Sequence, residues 1–272
     1  MCKQADISIV TVCFNAEKTI AKTINSILNQ VNHSYEYIIK DGGSTDGTNE
    51  IIKQFLPLFE EKKIKAVYLS EHDQGIYDAM NFAVNKSAGK YICFMNADDQ
   101  FADSDVFNRV ILSDGFRNQE DILYGDAIMK DGREENLFCA DMKLIQKRMP
   151  FVHQSCFFKN EIIRKYMYDT NYKICADYDL ILKIYRDRYS FYNLHTVVAV
   201  YSLDGLSSNS FVPKMAEHCS ILIRNGFLRR CSLRYFLMMG EAHIKTFLSK
   251  KCSAVVLLRL RRIYKRFIKK YK

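Results

Sequence analysis

Tyr91-Ile92-Cys93-Phe94-Met95-Asn96-Ala97-Asp98-Asp99-Gln100 is the stretch on which the fold turns. Its apolar first half has the length and residue types of a buried strand, so Asp98 and Asp99 stand at that strand's carboxyl end. Two adjacent carboxylates repel each other. The pair is tolerable only with solvent, basic neighbours, or a hard cation such as Mg2+ or Mn2+ bound through oxygen. The competing use of the same residues is a solvated turn that caps the following helix, since Asp and Asn favour turns and N-caps.

Working outward from this step, strands alternate with helices. Upstream, Ile7 to Phe14 is a β-rich run ending at Asn15, and Ala16 to Asn29 carries Ile20, Ile24, Ile27 and Leu28 at helical spacing. Tyr35 to Lys40 makes a second strand, closed by Asp41-Gly42-Gly43-Ser44-Thr45-Asp46-Gly47-Thr48. Asn49 to Phe59 follows as a helix with an irregularity expected near Pro57, then Lys65 to Leu69 as a strand and Gly75 to Ser87 as a helix. This alternation predicts a parallel sheet with right-handed crossovers, binding its ligand at the carboxyl ends of the strands. The polar loops at Asn15, Asp41 to Thr48, Glu71 to Tyr77 and Asn96 to Asp99 all fall at that edge and converge on one crevice.

Downstream the pattern is mixed. Ile122 to Asp126 and Ala127 to Met129 read as strands, as does Ser155 to Phe158, and Asp177 to Arg188 has helical spacing at Leu180, Ile181, Ile184 and Tyr185. Phe191 to Ser202 is β-rich and ends in Leu203-Asp204-Gly205-Leu206-Ser207, and from Pro213 the chain reads as helices.

Composition narrows the class. A chain of 272 residues, 48% hydrophobic, suits one large α/β domain with an appendage, and only 3 prolines and no low-complexity stretch mean that no linker announces a second independent domain. The 9 cysteines are scattered without a Cys-x-x-Cys pair, which is expected of reduced thiols in a cytosolic protein. The first apolar run is too short for a signal-peptide core, and no segment reaches the roughly 18 uninterrupted apolar residues of a membrane-spanning helix. The net charge of +9 is uneven: from Arg224 onward the only acidic residue is Glu241.

The crevice is not that of a dinucleotide-binding or triphosphate-hydrolysing fold. Cys13-Phe14-Asn15-Ala16-Glu17 has no glycine where Gly-x-Gly-x-x-Gly is needed, and no Gly-x-x-x-x-Gly-Lys-Ser/Thr occurs. What remains is a nucleotide site read by side chains, with diphosphate charge met by a divalent metal at the Asp98 step. Five segments carry a family resemblance: Thr11-Val12-Cys13-Phe14-Asn15, Asp41 to Thr48, Gly75-Ile76-Tyr77-Asp78-Ala79-Met80-Asn81, Asn96-Ala97-Asp98-Asp99 and Ala176-Asp177-Tyr178-Asp179-Leu180. In this order and spacing, over residues 5 to 210, the chain resembles an inverting family 2 glycosyltransferase of the bacterial surface-polysaccharide type.

The resemblance implies an α/β GT-A fold, a Rossmann-like mixed sheet flanked by helices, over residues 1–210, with a helical extension over 211–272. It implies that Thr11 and Asn15 approach the nucleotide and that Asp41 accepts a hydrogen bond from the base, the N3–H if that base is uracil. Asp73, Gly75 and Asn81 would run beneath the nucleotide and sugar, with Asn96, Ala97 and Asp98 along the donor. The family's Asp-x-Asp signature begins here with Asn96, so the metal role passes to Asp98, with Asp99 beside it and His153 as a further candidate ligand of Mn2+ or Mg2+. Asp177 matches the family's catalytic base. His153, Gln154 and Asp179 would face the acceptor or the diphosphate, and Gly205-Leu206-Ser207-Ser208 resembles the loop that closes the catalytic domain.

Val255 to Lys272 places Leu257, Leu260, Ile263, Tyr264, Phe267, Ile268 and Tyr271 at helical spacing among Arg and Lys, which makes a basic amphipathic helix. Such a helix lies in the headgroup layer of an anionic membrane; packing on the domain and nucleic-acid binding are the alternatives, and no recognition motif supports the latter. The expected protein is a cytoplasmic enzyme, peripheral on the inner face of the cell membrane. It moves one hexosyl or N-acetylhexosaminyl unit from a nucleotide-sugar, a UDP-sugar by expectation, to a glycan or polyprenyl-diphosphate-linked acceptor. Processive relatives carry Gln-x-x-Arg-Trp, and this chain has no tryptophan. The rival readings are a non-catalytic nucleotide-sugar or membrane-binding protein of the same fold, and a metal-dependent nucleotidyltransferase.

Overall fold

The computed structural model describes residues 5–32, 34–132, 134–202, 211–230 and 232–251; the expected closing loop at Gly205 to Ser208 and the basic tail lie outside them. The chain divides into two compact units, Met1–Gly205 and Leu206–Lys272.

In the first unit, β1 (Ile7–Cys13), α1 (Ile20–Leu28), β2 (Tyr35–Asp41), α2 (Thr48–Glu61), β3 (Ala66–Ser70), α3 (Ile76–Lys86) and β4 (Tyr91–Phe94) alternate as the sequence predicts. β1, β2 and β4 are buried along their whole length, as strands covered on both faces must be. They pair in parallel in the order β3-β2-β1-β4. The winding direction therefore reverses at β1, and a crevice opens beyond the carboxyl ends of β1 and β4.

Past β4 the sheet stops being parallel. β5 (Gln100–Phe101), α4 (Val106–Ile111) and α5 (Asp114–Arg117) lead to β6 (Ile122–Asp131) and β7 (Glu134–Phe138). Next come β8 (Cys156–Lys159), α6 (Asn160–Tyr166), α7 (Ala176–Arg186) and β9 (Phe191–Ser202). The nine-stranded sheet continues β4-β8-β6-β9-β5, with β7 paired to β6. β8 is antiparallel to both β4 and β6, whereas β9 runs parallel to β6. The fold is the expected mixed sheet flanked by helices.

Several boundaries differ from expectation for physical reasons. The first helix starts at Ile20 rather than Ala16; the residues before it form a turn tied to the loop after β2, with the Ala16 and Glu17 N–H groups bonded to Thr48 Oγ1 at 2.7 Å and Asp46 Oδ2 at 3.2 Å. α2 continues through exposed Pro57, whose missing N–H costs one bond on the solvent side. The two strands expected over Ile122 to Met129 are one, with a register irregularity between Tyr124 and Ala127; a Cβ at Gly125 would lie 2.6 Å from the Thr196 carbonyl oxygen, so the close crossing with β9 needs glycine there. In the second unit, α8 (Phe211–Arg224) and α9 (Leu233–Lys251) are the predicted helices, with Pro213 in the first turn where its lack of an N–H costs nothing.

Candidate active site

The loops after β1 and β2 hold each other. Asn15, on a left-handed backbone (φ 49°), receives the Thr45 N–H on its Oδ1 at 2.9 Å and gives its own N–H to Ser44 Oγ at 2.8 Å. Asp41 is fully buried and accepts from the N–H groups of Gly43 and Ser44, at 3.1 and 2.9 Å, and from the hydroxyls of Ser44 and Ser70. Burial works against its charge, but these donors outweigh burial and hold the carboxyl below its usual range. Asp41 is therefore the hub of its own loop in this state. A base could reach it only by taking the place of a loop donor.

Asp73 is drawn into the same corner. It accepts from the Gly75 N–H at 3.0 Å and lies 3.5 Å from the ammonium of buried Lys40, which also donates to the carbonyls of Asp41 and Glu71. A Cβ on Gly42 would stand 2.7 Å from Asp73 Oδ2, so glycine at 42 is what lets the two loops meet. Gly75 takes φ 122° at the start of α3. Sequence reasoning named no role for Phe14, yet its ring is 62% exposed at the end of an otherwise buried strand, beside Asn15. The signal was present: an aromatic residue directly after seven buried positions, at the ligand edge.

Thr11 corrects an expectation. Its side chain is fully buried, with the hydroxyl donating to the Met95 carbonyl at 2.7 Å and accepting from Tyr37 at 2.9 Å, so it ties β1 to the end of β4 and does not reach a nucleotide. At the acidic step, Thr23 of α1 organises the turn: its hydroxyl receives the Asp98 N–H at 3.1 Å and donates to the Asp99 carbonyl at 2.8 Å. Asp98 is held at φ 96°, and Ala97 is half-buried with its N–H on the Val12 carbonyl at 3.4 Å. Asn96 Oδ1 is buried without a hydrogen-bond partner. Asp98 lines a recess of about 190 Å3 with Lys22, Lys130 and Tyr201, which gives it basic neighbours, one of the three conditions under which the acidic pair is tolerable. A larger hollow of about 710 Å3 lies at the amino end of β4, around Lys90 and Tyr91, and contains none of the predicted site residues.

Asp99 points the other way. It is buried, accepting from Gln154 Nε2 at 2.6 Å and more weakly from the Ser202 N–H at 3.3 Å, and burial, followed by the charge of Asp98, lifts its acid to about 7 despite those donors. Gln154 is thus the partner of Asp99, on which its amide N–H is spent, rather than a group facing the acceptor or the diphosphate. Among the described residues no cluster of three or more His, Cys, Asp or Glu forms a cage for a metal. The expected trio of Asp98, Asp99 and His153 is not assembled. What the turn offers Mn2+ or Mg2+ is the Asp98 carboxylate, with the unpartnered Asn96 oxygen two residues before it; both are oxygen donors of the type hard cations take.

His153 is a core residue. Its ring stacks on Phe94 with centroids 5.2 Å apart, and its Nε2 lies 2.7 Å from the Tyr168 hydroxyl. Burial pushes the imidazole below its usual range against the pull of Asp177, so it is neutral near pH 7 and occupied by tyrosine rather than by metal or phosphate. Asn81, expected beneath the donor, spends both ends of its amide on the Tyr168 backbone, at 2.8 and 2.9 Å. Asp179 is 1% exposed and paired with Lys183 at 2.5 Å, which removes it from acceptor contact. Asp177 differs from all of these. It stands half-exposed in the first turn of α7, its Oδ1 receiving the Tyr178 N–H at 2.8 Å and facing the Tyr77 hydroxyl at 3.4 Å, while its Oδ2 has no hydrogen-bond partner among the described residues.

The profile of Glycosyl transferase family 2 matches residues 8–112, from β1 through α4. A PGL/p-HBAD biosynthesis glycosyltransferase of Mycobacterium tuberculosis is 31% identical over 215 residues, covering 76% of this chain and 80% of its own length. The chain belongs to glycosyl transferase family 2. Two solved structures share the fold of this family 2 transferase. Staphylococcus aureus TarS 1-349, in complex with UDP-GlcNAc, superimposes with a TM-score of 0.66 at 15% identity over 92% of this chain and 76% of its own. The mannosyltransferase PcManGT from Pyrobaculum calidifontis, with GDP-Man and Mn2+, does so with a TM-score of 0.64 at 13% identity, over 98% and 81%. The transferase has the GT-A fold, and that scaffold places the candidate site residues along one edge: Asn15, Asp41 and Asp73 in the loops after β1, β2 and β3, Asp98 after β4, and Asp177 at the head of α7.

Proposed function

We propose that this transferase moves a single sugar from a UDP-sugar, with inversion, onto a hydroxyl of a glycan or polyprenyl-diphosphate-linked acceptor in cell-surface polysaccharide synthesis. The observation that carries the reading is Asp177, a carboxylate with one oxygen unbonded among the described residues and the other facing Tyr77 in the first turn of α3. Phe14 offers the base an apolar face, Asp41 and Asn15 the polar edge, and Asp73 with the α3 start the floor. Asp98 and Asn96 would hold Mn2+ or Mg2+, which when bound supplies positive charge to the departing diphosphate. Asp177 takes the acceptor's proton as the acceptor oxygen bonds to the anomeric carbon. The sugar–phosphate bond breaks on the opposite face, and its electron pair leaves with the nucleoside diphosphate. Support for a UDP donor is the Asp41 carboxylate, an acceptor that suits a uracil N3–H once a loop donor gives way; support for a membrane-side acceptor is the basic amphipathic tail.

A panel of nucleotide-sugars, screened with Mn2+ by thermal shift and by release of the nucleoside diphosphate, identifies the donor. Asp177→Asn is then expected to lower turnover by roughly 10^2 to 10^4-fold while donor affinity stays close to wild type, as removal of a general base requires. Turnover that survives the substitution excludes Asp177 as the base.

A further inference from the structure

The rings between β4 and α7 form an unbroken frame. Phe94 closes β4 just ahead of the acidic turn and stacks on His153. His153 Nε2 meets the Tyr168 hydroxyl at 2.7 Å, and the Tyr168 ring stacks on Tyr77 with centroids 5.5 Å apart. The Tyr77 hydroxyl donates to the Ile174 carbonyl at 2.8 Å and reaches Asp177 Oδ1 at 3.4 Å. Asn81, one turn along α3 from Tyr77, clamps the Tyr168 backbone from the side. Tyr77, Tyr168 and His153 are each less than a tenth exposed, so none of them meets an acceptor directly.

We propose that Tyr77 is a positioning residue for the transfer step: its hydroxyl fixes the Ile174 to Asp177 segment and orients the Asp177 carboxylate, so that Oδ1 is held and Oδ2 is presented to the acceptor. A hydroxyl has one proton, and the shorter contact to Ile174 takes the larger share of it. Both acceptors lie on the same short segment, so either arm restrains the same carboxylate. Tyr168 and His153 set the height of the Tyr77 ring, and through Phe94 they refer it to the end of the strand that carries Asp98. The base and the acidic turn are therefore registered to each other through packed, uncharged groups. Their spacing does not depend on the charge of the acids themselves.

The inference rests on the reading of Asp177 as the base, and Tyr77→Phe separates the two because it keeps the ring stack and deletes only the hydroxyl. With UDP-GlcNAc and Mn2+ as probe, and release of UDP as the readout, turnover is expected to fall roughly 10-fold at unchanged donor KM, the signature of a misplaced group rather than a lost binding contact. Independently of any substrate, the carboxyl 13C signal of Asp177, assigned by its absence in Asp177→Asn, should move in Tyr77→Phe. It should stay in place in Tyr166→Phe, which deletes a hydroxyl bonded to Asp187 instead. A Tyr77→Phe enzyme with an unmoved Asp177 signal overturns the inference, as does unchanged turnover of the probe. Full turnover in Asp177→Asn overturns the reading of the base and the inference with it, whereas loss of turnover there with an unmoved signal in Tyr77→Phe overturns the inference alone.

Discussion

Asp98 and Asp99 are adjacent in sequence and opposite in environment. Thr23 holds the turn so that Asp98 lines the recess beside Lys22 and Lys130 while Asp99 goes inward to Gln154. An acid raised to about 7 keeps its proton in the folded protein, whereas the unfolded chain releases it near pH ~4. Between those values the folded state binds more protons. The contribution of Asp99 to stability is thus complete below about pH 4 and is lost as pH rises toward about 7. Denaturant melts at pH 5 and pH 8 should show wild type losing more stability than Asp99→Asn, which cannot ionise; parallel losses would refute the assignment. That the acidic pair marks the site is readable from two carboxylates after an apolar run. Which of them faces inward is not, because the choice depends on a φ of 96° at Asp98 and on Gln154, more than fifty residues away in the chain.

Among the elements, α3 does more than cross from β3 to β4. Its Asn81 replaces two missing backbone partners at Tyr168 and so fastens the segment before α7. Asn81→Ala leaves that N–H and carbonyl unpaired in a partly buried place, and a loss of about 2 kcal/mol is expected in urea unfolding; a loss within error would show that water takes over both bonds. Asn81 had been expected among donor contacts, as had Thr11, and in both cases the polar atoms are spent on tying elements together. β1, β2 and β9 are legible because long β-rich runs have few other uses. β5, with two residues, and β7, at the sheet's margin, are not, since their pairing is set by partners distant in sequence. The turn before α1 is hidden for the same reason: its N–H groups are bonded by Asp46 and Thr48, some thirty residues on.

At the scale of the whole molecule, the catalytic unit and the helical unit answer different physical demands. Deletion of residues 252–272 is expected to abolish sedimentation with phosphatidylserine-containing vesicles, with nucleotide-dependent thermal stabilisation unchanged; retained sedimentation would place the membrane contact elsewhere in the chain. The sheet from β1 to β4 is written in local βαβ steps, and the part beyond β4 in strand pairings that skip along the chain, so motif order reveals the first and only hints at the second. β4 is the seam between them, parallel to β1 on one side and antiparallel to β8 on the other. During synthesis the first four strands can close up as they leave the ribosome, whereas the far edge of β4 must stay unpaired until residues 156–159 emerge. Tyr91-Ile92-Cys93-Phe94 is a short apolar edge of the sort that seeds misassembly, so the nascent chain is most vulnerable to aggregation in the interval between making its parallel half and finishing its sheet.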